Sequence, residues 1–171
     1  MKNWIKQNFD TIQTMAIVLG LVFSGSAFLI QTKSLNASNQ IASANYVLQI
    51  SNKLDDSRYT NIINAIENNS SSYSLFSKGF TQNDIEDYIG NFETLGDLAR
   101  DNLVYPHMAY DELGYDLEKA WCNVDVQQDI TQDRKADKIL SGASAFYNGF
   151  EFLAKYSLNQ DHKDCLAMDK E

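Results

Sequence analysis

Proline is nearly absent from this chain of 171 residues, because Pro106 is its single copy, and glycine occurs only eight times. Proline removes a backbone hydrogen bond and glycine costs conformational entropy in a helix, so their scarcity leaves long stretches free to be helical. Apolar residues at three- and four-residue spacing recur through most of the chain, which is typical of amphipathic helices. The sequence therefore predicts an all-α protein.

Histidine and cysteine are also rare, with two copies of each. Di-iron helical bundles need Glu-x-x-His pairs, but neither His107 nor His162 has a glutamate three residues before it. The chain also lacks a His-Glu-x-x-His motif, a phosphate-binding glycine loop, a Gly-x-Ser-x-Gly turn and a Cys-x-x-Cys pair. We therefore predict no catalytic residue, no cofactor and no metal ligand, and an enzyme is the less favoured interpretation.

One dense group of carboxylates keeps an alternative open. Asp111, Glu112, Asp116 and Glu118 lie within two helical turns of each other around Gly114. Such a group can bind a divalent cation or supply an acid and a base, which would make the protein an enzyme or a metal-dependent domain. Acid–base catalysis requires carboxylates with shifted pKa values, and no pattern marks these as buried. A solvated acidic face is the favoured interpretation.

Positive charge is scarce in the larger part of the chain. After Lys33 the sequence holds 11 Lys and Arg against 22 Asp and Glu. Affinity for nucleic acid depends on Lys and Arg that neutralise phosphates. This charge balance therefore argues against a nucleic-acid partner.

Charge of either sign is missing from one long segment. No charged residue occurs between Thr11 and Thr32, and Asp10 and Lys33 flank this segment. A helix of this length rises roughly 30 Å, which matches the hydrocarbon thickness of a bilayer. We predict a single transmembrane helix over 11–32, in contact with the lipid bilayer of the cell (plasma or inner) membrane.

A cleaved signal peptide is the competing interpretation of this segment. Lys2 and Lys6 would form its basic region, and Gly25-Ser26-Ala27 would form a cleavage site of small residues. The apolar run continues past that site through Phe28-Leu29-Ile30, which favours a retained span. The positive-inside rule leans weakly towards a cytoplasmic N-terminus, which would leave the C-terminal domain on the opposite side.

Small residues recur every four positions in the span, at Ala16, Gly20 and Ser24. A stripe of this kind lets two transmembrane helices approach closely, so it predicts a homo-oligomer through these three residues as a hypothesis. Accidental spacing of residues that are common in spans explains the same pattern.

The segments that follow the span predict a helical domain of about five helices. The divisions are an N-terminal lead over 1–10, the transmembrane helix over 11–32, a juxtamembrane helical segment over 33–68, a flexible loop over 69–80, the helical domain over 81–158 and a polar tail over 159–171. In the domain, Thr81 and Asp84 form a capping-box-like start, and Pro106 suits the first turn of another helix.

The last helix is predicted to open at Asp129-Ile-Thr-Gln132 and to end near Leu158, with one apolar face along its whole length. We expect large apolar side chains to be buried together between the last three helices. These are Phe92, Leu95, Trp121, Phe146 and Phe150. Glu93 and Glu151 are expected to lie beside this core at the surface.

Whether Cys122 and Cys165 form a disulfide depends on the compartment that the domain faces. In an oxidising compartment they can pair and connect the end of one helix to the tail. In a reducing one they are small apolar residues, and the neighbouring Trp121 favours burial of Cys122.

A further set of residues carries a resemblance. The segment Ile89-Gly-Asn-Phe-Glu-Thr-Leu-Gly-Asp-Leu-Ala-Arg100, followed by Gly114-Tyr115, Trp121, Arg134 and Phe150-Glu151-Phe152-Leu153, resembles a bacterial domain-of-unknown-function family, the DUF-four-seven-six-zero type. The resemblance covers most of residues 11–156 and implies a helical fold and a bacterial membrane location. The family usually has several cations just after the span, which implies a cytoplasmic domain, whereas this chain has only Lys33 there. The resemblance implies no activity and no functional residue.

These observations favour a membrane-anchored helical protein of unknown function that acts by protein–protein contact, as a sensor, an adaptor or a defence-associated subunit. The protein partner is unknown. The alternatives are the enzyme or metal-dependent domain described above, and an exported helical domain released by signal cleavage.

Overall fold

A computed structural model describes residues 9–67, 75–141 and 146–165. Within these ranges the chain is α-helical with no strand, so the predicted all-α fold with a long apolar N-terminal helix is confirmed. The described residues form six α-helices, which are α1 (Phe9–Leu54), α2 (Ser57–Glu67), α3 (Gln82–Arg100), α4 (Pro106–Cys122), α5 (Val124–Ser141) and α6 (Asn148–Gln160), and a short 3-10 helix covers Leu75–Lys78.

The chain divides into two compact units, residues 1–39 and 40–171. In the first unit α1 carries the uncharged segment, whose large side chains from Met15 to Ile30 are exposed. Ser26 Oγ donates a hydrogen bond to the Val22 carbonyl at 2.8 Å, and Thr32 Oγ1 donates to the Phe28 carbonyl at 2.8 Å. These bonds satisfy the two hydroxyl groups within the helix itself.

In the second unit two predicted helix starts are confirmed. Thr81 caps α3, because its side chain accepts the Asp84 N–H while Asp84 accepts the Thr81 N–H at 2.8 Å. Pro106 is the first residue of α4, where a missing N–H costs no helical hydrogen bond.

The core of the second unit is aromatic at its centre. The rings of Phe92 on α3 and Phe150 on α6 stack with centroids 5.4 Å apart, and Trp121 on α4 meets Phe150 edge-on at 5.3 Å. Phe92, Leu95 and Phe150 are fully buried, as expected, whereas Trp121 packs against them but is only partly buried. Phe146 does not join them, since half of its surface is exposed, and that part of the predicted core was wrong.

The predicted last helix is two helices. Its first part belongs to α5, which begins at Val124 rather than Asp129, and its second part is α6, which ends at Gln160. Tyr147 immediately precedes α6 with a left-handed φ of 60°, a conformation that cannot continue a helix. Ile139, near the end of α5, is 84% exposed, so the apolar spacing does not mark one continuous buried face.

The flexible loop predicted over 69–80 is only partly within the described residues, because 68–74 lie outside them. Its second half differs from the prediction, since Leu75–Lys78 forms the 3-10 helix and Leu75 is completely buried. The Leu75 N–H donates to the buried Asp125 carboxylate at the start of α5. This contact gives the segment a fixed position that its polar sequence did not indicate.

Glycine sets the distance between α3 and α6. A Cβ atom added to Gly96 would lie 2.0 Å from the Gly149 carbonyl oxygen, and one added to Gly149 would lie 2.6 Å from the Asp97 nitrogen. The two helices therefore meet backbone to backbone, and this close approach brings the Phe92 and Phe150 rings together.

Substitution of Gly96 by alanine is expected to lower the free energy of unfolding by about 1–3 kcal/mol, as overpacking does. The clash is with backbone, which cannot move aside as a flexible side chain can. Gly90→Ala is the matched control, since it lies on the same helix with nothing within 4 Å of an added Cβ. It should gain about 0.5–1 kcal/mol from helix propensity. Chemical denaturation of both variants measures the difference, and stabilisation by both would contradict the close approach.

Candidate functional site

The four carboxylates that the sequence groups together do not converge on one point. Asp111 and Glu112 are exposed on α4, and Glu112 accepts a hydrogen bond from Ser51 Oγ at 2.9 Å. Asp116 is partly buried, and Glu118 is buried in a different environment on the side of α6. The group is therefore neither one solvated face nor one cation site.

The two less exposed members have separate structural roles. Burial raises the pKa of Asp116, and the charges of Glu67 and Asp55 raise it further. Glu118 accepts a hydrogen bond from Ser157 Oγ at 2.6 Å, and this hydroxyl also lies 3.2 Å from the Gly114 carbonyl oxygen. Glu118 thus connects α4 to α6 inside the core, which explains why a carboxylate is tolerated there.

A different set of carboxylates does converge. Glu86 on α3 and Asp129 and Asp133 on α5 each offer a carboxylate oxygen within 4.8 Å of the others. Asp129 and Asp133 are four residues apart, so both lie on the side of α5 that faces α3. We call Glu86, Asp129 and Asp133 the carboxylate cluster. Among the described residues it is the arrangement whose geometry suits a metal ion.

Asp129 is the buried member of the carboxylate cluster. Its residue surface is only 3% exposed, and its Oδ2 atom has no hydrogen-bond partner among the described residues. Burial raises the pKa of Asp129 to about 6, and the charges of Asp133 and Glu86 act in the same direction, while a hydrogen bond from Gln82 opposes them. The proton on Asp129 therefore stabilises the fold at low pH, and this contribution is lost as the pH rises through about 6.

The turn before α6 completes the surroundings of the cluster. The Tyr147 hydroxyl donates to Asp133 Oδ2 at 3.0 Å. Arg134, the next residue on α5, holds the same turn by donating to the carbonyl oxygens of Phe146 at 2.9 Å and Tyr147 at 3.3 Å, and to Glu151 at 2.6 Å. The group that contacts the cluster on this side is therefore the neutral Tyr147 hydroxyl. Arg134 directs its hydrogen bonds at the turn and at Glu151 instead.

Glu93 has a role that the sequence did not indicate. Its carboxylate is half-buried and accepts the Phe150 N–H at 2.7 Å and the Gly149 N–H, which are unpaired donors in the first turn of α6. Burial raises the pKa of Glu93, although these hydrogen bonds lower it. The expectation that Glu93 lies at the surface beside the core was therefore wrong. Its carboxylate caps the N-terminus of α6, a helix that is far from Glu93 in the sequence.

Cys122 and Cys165 form a disulfide bond with a Cα–Cα distance of 5.1 Å. It joins the last residue of α4 to the segment that follows α6. The sequence left a disulfide and two free thiols as alternatives, and the structure contains the disulfide.

The carboxylate cluster could not be predicted from the sequence, because Glu86 is far along the chain from Asp129 and Asp133. A partial signal exists in α5, where Asp125, Asp129 and Asp133 repeat every four residues beside the apolar Val126 and Ile130. Acidic residues on the same side of a helix as its apolar residues are the pattern that marks buried carboxylates.

No family model matches the chain, and neither a curated protein nor a solved structure matches it. The resemblance to the DUF-four-seven-six-zero type and the bacterial origin that it implies therefore stay predictions.

Proposed function

We propose that this protein is a single-pass membrane protein whose helical domain lies on the extracytoplasmic side and acts by contact with a protein partner. The observation that carries the anchor is the uncharged 11–32 segment in α1. Its described large apolar side chains are exposed, and one helix of this length and apolarity is found near the N-terminus. Hydrocarbon is the surrounding in which such a surface costs least.

The disulfide supports the side of the membrane. Disulfides persist in oxidising compartments and are rare in the cytosol of ordinary cells. The weak excess of positive charge before the span, from Lys2 and Lys6, favours the same orientation. Two independent features thus agree on a domain outside the cytoplasm.

For this domain we favour contact with a protein partner over catalysis. Glu118 and Glu93, two carboxylates buried or half-buried against α6, are used to join helices. Asp111, Glu112, Asp116 and Glu118, on which the enzyme alternative depends, do not converge on one point and so do not support catalysis. A sensor, adaptor or defence-associated subunit stays the proposed class, and self-association through Ala16, Gly20 and Ser24 is a proposal of the same kind.

Labelling in intact cells tests the orientation. A membrane-impermeant maleimide reagent should leave the native protein unlabelled, because both thiols are in the disulfide, and should label it after treatment with an impermeant reductant. Cys122→Ser, which leaves Cys165 as a single thiol, should be labelled without reductant. A domain in the cytosol would give the opposite pattern, with labelling only after cell lysis and no need for reduction.

Alkaline extraction of the membranes tests the anchor in the same cells. We expect the full-length protein to stay in the membrane pellet with an intact N-terminus. Recovery of a soluble protein that begins near Ala27 or Phe28 would show instead that a signal peptide had been removed and that the domain is exported.

A further inference from the structure

We propose that the carboxylate cluster of Glu86, Asp129 and Asp133 binds one divalent cation, and that this cation is Ca²⁺. The site is independent of the anchor and of the partner contact proposed above. It is formed by two helices that pack together in the domain, α3 and α5, rather than by one acidic face.

The first observation is convergence. Three carboxylate oxygens from separate positions approach within 4.8 Å of one another, although their negative charges repel. Repulsion of this kind is relieved at an exposed surface by water and salt, but Asp129 is nearly inaccessible to both. A cation between the three oxygens removes the repulsion that the packing of α3 on α5 creates.

The second observation is the unpaired oxygen of Asp129. A buried carboxylate oxygen normally has a hydrogen-bond donor, and its absence calls for an explanation such as a bound ion. The charges that act on Asp129 are those of Asp133 and Glu86, both negative. Two donors lie next to the cluster, and neither pairs with this oxygen. The Tyr147 hydroxyl donates to Asp133, and the Gln82 side chain bonds to Asp129 but leaves Oδ2 unpaired. A positive ion is the group that fits beside Asp129 Oδ2.

The ligand chemistry selects the type of ion. Carboxylate oxygens are ligands for hard cations, whereas the described cluster offers no thiolate or imidazole for zinc or copper. Ca²⁺ binds oxygens at 2.3–2.6 Å, so its ligands lie up to about 5 Å apart across the ion, and water completes its coordination. Mg²⁺ requires shorter, near-octahedral contacts, with ligands at most about 4.2 Å apart. Mg²⁺ is also usually held by one or two carboxylates together with substrate phosphates and water, so three protein carboxylates within 4.8 Å of one another favour Ca²⁺.

Titration calorimetry and thermal unfolding of the full-length protein in detergent micelles, after removal of metal with EDTA, test the site. Added CaCl₂ should bind with a stoichiometry of one and raise the unfolding temperature. At a Ca²⁺ concentration of 100 times Kd the rise should be about 5–10 °C. No binding and no rise would overturn the proposal, and a rise with MgCl₂ alone would overturn the choice of ion.

Asp129→Asn distinguishes binding of Ca²⁺ at the cluster from nonspecific screening of the acidic surface by Ca²⁺. In EDTA it should unfold at the same temperature as the native protein or higher, because it removes a buried repelling charge, but it should lose the response to CaCl₂. Glu86→Gln, at a less buried position, serves as a second variant whose Ca²⁺ affinity should fall at least about tenfold.

Asp111→Asn/Glu112→Gln is the matched control, since it removes two exposed carboxylates outside the cluster. It should keep the full response to CaCl₂. A response that survives in both Asp129→Asn and Glu86→Gln, or that disappears in this control, would show that Ca²⁺ acts elsewhere on the surface.

Discussion

Replacement of Leu19 and Val22 by arginine is expected to move the full-length protein from the membrane pellet to the soluble fraction. The two residues lie three positions apart in the middle of the uncharged segment, and both are exposed on α1. Each arginine near the centre of a span costs about 2.5–3.5 kcal/mol on insertion scales, so two of them exceed the gain from the remaining apolar residues. Fractionation with an alkaline wash measures the distribution.

Leu103→Arg/Val124→Arg is the control for this experiment. These residues are also large, apolar and exposed, but they lie in the helical domain rather than in the uncharged 11–32 segment. The control should stay in the membrane pellet. If it were released as completely as the span variant, misfolding rather than loss of the anchor would explain both results.

Replacement of Phe150 by alanine should have the largest effect on the stability of the domain, a loss of about 3–5 kcal/mol in the free energy of unfolding. The side chain is fully buried, and its ring contacts Phe92 and Trp121 at centroid distances of 5.4 and 5.3 Å. The backbone contact between Gly96 and Gly149 holds α3 and α6 in place, so the helices cannot close the cavity. Denaturant unfolding followed by circular dichroism measures the loss.

Phe152→Ala is the matched control, because the same residue type on the same helix is 37% exposed. Its substitution should cost about 1–2 kcal/mol, since roughly two thirds of its surface is buried and no closed cavity is left. Equal losses in the two variants would mean that the aromatic centre of the domain has been assigned to the wrong residues.

Local features of the fold were predictable from sequence because their causes lie within one helical turn. The capping box at Thr81 and Asp84 uses residues three apart, and Pro106 starts α4 for a reason contained in its own ring. Prediction was wrong between α5 and α6, where the apolar spacing continues but the chain turns at Tyr147. That turn is held by Arg134 through contacts with Phe146, Tyr147 and Glu151. The spacing of apolar residues carries no information about such a contact.

The candidate site was less predictable than the fold for the same reason. Asp111, Glu112, Asp116 and Glu118 are close in sequence, yet the helix directs them to different surroundings. Glu86 and Asp129 are distant in sequence and meet only because α3 packs on α5. Burial of a carboxylate depends on the neighbouring helix, so its altered pKa could not be read from the residues beside it.

The sequence by itself determined the helical character of this protein and its apolar N-terminal segment, because backbone propensity and the absence of charge act locally. Tertiary structure alone decided which carboxylates are buried, which glycines meet and that Cys122 lies next to Cys165. Each of these depends on the distance between helices that are far apart along the chain, and that distance is set by how their side chains pack.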